Sequence, residues 1–135
     1  MRDDPEFAEL VRDFVATLPA RRAVLKDLVA KLRARSEKSG EVVAAVEGLR
    51  FVVHKLGGVA ASYGFPKLSD VSGRIDDWME SAAPASEAEL ARLERFAELL
   101  DRALTRAIAS GADPGDELAA DPVIAPIWAE LISCA

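Results

Sequence analysis

The chain has 135 residues, half of them hydrophobic and 30% charged, the balance of one folded domain and not of a disordered or membrane-spanning chain. Lys and Arg total 17 against 23 Asp and Glu, a net charge of −6 with a pI near 4.8, so a phosphate backbone would be repelled and nucleic acid is not an expected partner. One cysteine and one histidine exclude disulfide frameworks, zinc fingers and di-iron bundles by counting, and no metal site is expected.

No apolar run reaches the roughly 20 residues of a membrane helix. Met1-Arg2-Asp3-Asp4-Pro5 has no apolar stretch behind it to make a secretory signal. The expectation is a cytoplasmic protein without a membrane association. Apolar residues recur at helical spacing almost throughout, and no stretch alternates as a half-buried strand would. The chain reads as all-α.

A first short helix is expected from Asp4, with Phe7, Leu10, Val11, Phe14, Val15 and Leu18 along one side, ended or bent by Pro19. A second runs from about Ala20 to Ser36 with Val24, Leu25, Leu28, Val29 and Leu32 inward. Its outward Arg and Lys residues suit a solvated face or a surface that meets an acidic partner. After a break at Ser39-Gly40, a third helix spans Glu41 to Tyr63, with Gly64 as its C-terminal cap. A fourth begins at Phe65-Pro66, carries Leu68, Val71, Ile75, Trp78 and Met79 inward, and closes at Ala83-Pro84. Ser86 with Glu89 forms a capping box for a fifth, which keeps its period to Ser110 before Gly111.

Short connections favour antiparallel neighbours. The expected architecture is an antiparallel up-and-down four-helix bundle over residues 1–111, with a short N-terminal covering helix. Residues 112–135 form a Gly/Pro/Asp-rich linker and an apolar C-terminal tail, Val123, Ile124, Ile127, Trp128, Leu131 and Ile132. That tail packs on the bundle or docks on a partner.

Setting Leu49 at zero and advancing about 100° per residue places Val52, Val53, Leu56, Ala60 and Tyr63 on the core side of the third helix. His54 falls about 140° away, on the exposed side. Gly57 and Gly58 follow it three and four residues later, on the same surface. Each glycine costs a helix roughly 1 kcal/mol relative to alanine, and the return is access to the ring for another protein. Arg50 and Lys55 supply nearby positive charge, and Phe51 suits a docking contact. Asp76-Asp77 reads as a solvated pair, and Cys134 as an incidental thiol. Without a second polar cluster, no further enzyme class is expected.

The stretch His54-Lys55-Leu56-Gly57-Gly58-Val59-Ala60-Ala61-Ser62-Tyr63-Gly64-Phe65-Pro66-Lys67-Leu68 resembles the phosphoacceptor helix and following turn of histidine-containing phosphotransfer (HPt) domains of two-component phosphorelays. The similarity in order of parts runs roughly from Phe7 to Ile108. His54, Gly58 and Gly64 match the family pattern, and Ser62 and Leu68 fit its looser positions. Gly57 departs from it, standing where many members carry a lysine thought to steady the phosphoryl group. Lys55 and Arg50 remain as phosphate-neighbouring cations, although Lys55 points about 100° around the helix from His54.

The resemblance implies that His54 accepts a phosphoryl group from a receiver-domain aspartyl phosphate and passes it to another receiver. Partners would dock over Phe51, Gly57, Gly58 and Ala61. The chain would be a carrier, without kinase activity or a cofactor of its own, since Mg²⁺ in this family belongs to the receiver. Expected partners are response-regulator receivers and a hybrid sensor kinase, met by a monomer. Two alternatives stay open: an HPt-fold binding module that docks receivers or kinases without phosphotransfer, and the dimerisation and phosphoacceptor part of a sensor kinase. Lys55, where that last class usually has an acidic residue, and the lack of a kinase domain weigh against it.

Overall fold

The computed structural model describes residues 4–35 and 39–134. Four long helices, α1 (Pro5–Ala34), α2 (Ser39–Ala60), α3 (Pro66–Ala82) and α4 (Glu87–Ser110), are followed by two short ones, α5 (Glu117–Ala120) and α6 (Ala125–Ser133). The long helices contact one another in a ring, α1 with α2, α2 with α3, α3 with α4, and α4 with α1. Ion pairs Arg22–Asp101 and Arg33–Glu94 show α1 and α4 running antiparallel. The up-and-down bundle is the observed fold.

The expected short covering helix is corrected. The first two predicted helices are one 30-residue helix, with Pro19 inside it. Proline in a helix interior costs about 3 kcal/mol, through a missing N–H and a clash with the preceding turn. Pro19 faces solvent while Phe14, Leu18, Leu25 and Leu32 are buried in one continuous stripe. Burying each such side chain contributes roughly 1.5–3 kcal/mol, so the stripe outweighs the break. Asp4 caps the start, accepting from the Glu6 N–H at 2.9 Å, with Pro5 in the first turn. The expected end of the second helix at Ser36 lies outside the described residues. Ser39-Gly40, read as a break, is the first turn of α2.

α2 gives Ala45, Leu49, Val53, Leu56 and Ala60 to the core, in line with the angular reading, whereas Val52, expected inward at the edge of that face, is half-buried and outside the core cluster. It runs into a single 3₁₀ turn, Ala61–Tyr63, closed by Gly64 at φ +83°, a left-handed position where a side chain would be strained. Tyr63 stacks on Phe14 at 4.8 Å, and Trp78 of α3 meets Phe96 of α4 edge-on at 5.0 Å. Ser86 and Glu89 form the capping box at the start of α4.

α3 receives its cap from far along the chain. Phe65 offers its first turn no side-chain bond. The Asp113 carboxylate does, accepting from the N–H groups of Lys67 and Leu68 at 3.1 Å. Beyond Asp113, Leu118, Ile124 and Leu131 are buried in the cluster that holds the bundle core. Trp128 lies beneath Lys67 and Arg74 of α3, and Glu130 pairs with Arg92 and Arg95 of α4.

Candidate functional site

His54 stands on the second turn from the end of α2, with its side chain 76% exposed. Its Nδ1 lies 2.8 Å from Oδ2 of Asp76 on α3. An ionised carboxylate only accepts, so Nδ1 is the donor and the neutral ring presents a bare Nε2 lone pair. Asp76 is 17% exposed. Its buried Oδ1 has no hydrogen-bond partner among the described residues, but Arg50 Nε stands 3.5 Å away. Arg50 also reaches Glu80 at 3.8 Å, so its guanidinium offsets the two carboxylates that line this side of the seam.

Asp76 is therefore not half of a solvated pair, and that reading is corrected. Asp77 is exposed, but Asp76 turns into the α2–α3 seam and meets the ring. A pattern of charges within one helix does not reveal which of two adjacent aspartates faces the neighbouring helix.

The other residues divide by where their side chains go. Arg50 reaches the site through Asp76, on the Nδ1 side of the ring. The Lys55 ammonium sits over the Phe51 ring, 5.4 Å from its centroid. Phe51 is 62% exposed, and Gly58 and Ala61 are exposed too. A Cβ on Gly58 would meet nothing within 4 Å, so this side of the imidazole is open. Gly57 belongs to a different surface. A Cβ there would come within 3.3 Å of the Gly73 backbone nitrogen. Its place on the access surface is corrected to the interior of the α2–α3 seam.

Chemically, the arrangement is an exposed imidazole nucleophile, oriented through one nitrogen and bare at the other. Among the described residues, no group of three or more His, Cys, Asp or Glu is placed to hold a metal ion, and no helix is long and apolar enough to cross a membrane.

Comparison with curated proteins and comparison with solved structures each gave no match. A family model described as the Hpt domain matches residues 9–109, which takes in α2 and α3 whole, all but the outermost residues of α1 and α4, and both His54 and Asp76. The chain thus belongs to the Hpt domain family, whose members act with receiver and kinase partners as carriers, not kinases, in two-component histidine phosphotransfer.

Proposed function

We propose that this protein is a phosphorelay carrier that accepts a phosphoryl group on His54 Nε2 from a receiver aspartyl phosphate and gives it to a second receiver. The observation that carries the reading is the His54–Asp76 hydrogen bond of 2.8 Å on an otherwise open ring. It fixes the tautomer in which the exposed nitrogen is the nucleophile.

In the forward step the Nε2 lone pair attacks phosphorus in line. The N–P bond forms as the P–O bond to the receiver's carboxylate breaks, and that carboxylate departs with the electron pair. Nδ1 keeps its proton, so the phosphorylated ring gains positive charge beside the Asp76 carboxylate. The return step reverses each change. Asp76 acts through the ring and never touches the phosphoryl group. Phe51, Gly58 and Ala61 supply the open surface over which the receiver closes, and Lys55 brings a cation to its edge. This reading takes the protein as a cytoplasmic monomer with a hybrid sensor kinase upstream.

One observation favours a second reading, a binding module that docks receivers without accepting phosphate: Gly57 leaves the position three residues after His54 without a cation. Label transfer separates the two. Mixed with a phosphorylated receiver, the wild-type protein is expected to take the label and pass it to a second receiver. Asp76→Ala should slow the first step about tenfold or more, the scale of a hydrogen bond to a charged group. Binding without any label uptake would identify the module.

A further inference from the structure

Gly57 of α2 is turned toward the backbone of Gly73 on α3. A Cβ on Gly57 would lie 3.3 Å from Gly73 N, 3.5 Å from Gly73 Cα and 3.6 Å from Ser72 Cβ. The first of these is tighter than an ordinary contact and is made to helix backbone, which cannot rotate aside, so a Cβ at 57 asks for a few tenths of an ångström between α2 and α3 and a larger side chain asks for more. The contact is pinned at the same level by Ser69, whose hydroxyl donates to the Gly57 carbonyl at 2.8 Å.

The helices are antiparallel, so one turn back along α2 and one turn on along α3 is the pair His54 and Asp76. A further turn brings Arg50 to Glu80. Aspartate is the shorter carboxylate, so its reach to the ring depends on the spacing of the two helices. A bond of 2.8 Å leaves a few tenths of an ångström before hydrogen-bond geometry is lost.

We infer that Gly57 is a positioning residue for His54: its missing side chain sets the α2–α3 spacing at which Asp76 holds Nδ1. This deepens the carrier role and rests on His54 being the acceptor. It also accounts for the departure from the family pattern. A lysine at 57 would open the seam, so this chain keeps the carboxylate on the ring and brings Arg50 in behind it. Gly73 has no such duty, since a Cβ on it would meet nothing within 4 Å.

The test reads the ring itself. The chain has one histidine, so ¹⁵N-labelled full-length protein gives a single pair of ring nitrogens, whose shifts report the tautomer at about pH 8.5, where an ordinary imidazole is neutral. Wild type and Gly73→Ala should show the Nδ1–H form. Asp76→Ala should lower the Nδ1–H to Nε2–H ratio about tenfold, with Gly57→Ala falling part of that way and Gly57→Val further. In the Asp76→Ala background, neither Gly57 substitution should add anything. A folded Gly57→Ala with the wild-type tautomer overturns the inference even if Gly57→Val fails to fold, and so does a Gly57 effect that persists without Asp76. The carrier role fails separately, by a wild-type protein that shows the Nδ1–H form and takes no phosphoryl group.

Discussion

His54 is useful because its two nitrogens have different surroundings. Nδ1 is committed to Asp76, and Nε2 faces a surface on which Gly58 presents no side chain. Substituting Gly58→Leu should keep or raise helicity, because leucine is the better helix former and nothing within 4 Å opposes a Cβ there. It should nevertheless slow phosphoryl transfer about tenfold or more by crowding the approach. Circular dichroism with label transfer checks both halves, and an unchanged rate would show that access is not the role of this glycine. The sequence could expose the ring by counting helical angle, and the structure agrees with that reading of α2. It could not supply Asp76, because the register between two helices is written in neither one alone. The faint signal was Gly57 and Gly73, a pair of helical glycines whose apposition in an antiparallel pair would have put Asp76 beside His54.

The helices owe their lengths to competing local and tertiary terms. Pro19 is a strong local stop signal, yet α1 continues through it because the buried stripe on both sides is in phase. Pro19→Ala should therefore stabilise the fold by about 1–3 kcal/mol, as read by chemical denaturation. A loss of stability would mean that the proline-induced geometry is needed by the packing. At α3 the missing local cap is supplied by Asp113, outside the family-matched segment. Asp113→Ala should cost about 1 kcal/mol, the usual worth of an N-cap, and Asp113→Asn should recover much of it. The capping box at Ser86 and Glu89 was readable because both partners are close in sequence. Asp113 was not, because its partners lie about 45 residues upstream.

At the scale of the whole molecule, the bundle was readable because amphipathic period, capping residues and short connections all agree. The course of the tail was not, since an apolar segment does not name the surface it covers. Its observed contacts carry a pH dependence. Glu130 of α6 is held below its ordinary value near 4.5, mainly by the hydrogen bond from Arg95, and Arg95 is correspondingly raised. A depressed carboxylate contributes stability above its unfolded pKa and loses it as the pH falls through the folded one. The stability gap between wild type and Glu130→Gln should thus be full at neutral pH and close as the solution is acidified below about 4.5. A gap that persisted in acid would assign the effect to packing.

The central claim is that His54 carries the phosphoryl group on Nε2. The most direct measurement is intact mass of the full-length protein after exposure to a phosphorylated receiver at neutral pH, with ¹⁵N–³¹P coupling to identify the bonded ring nitrogen and His54→Gln as control. The account predicts a gain of one phosphoryl group on Nε2, absent from the variant and lost in acid. A phosphoryl group retained in His54→Gln, or one bonded to Nδ1, would contradict it.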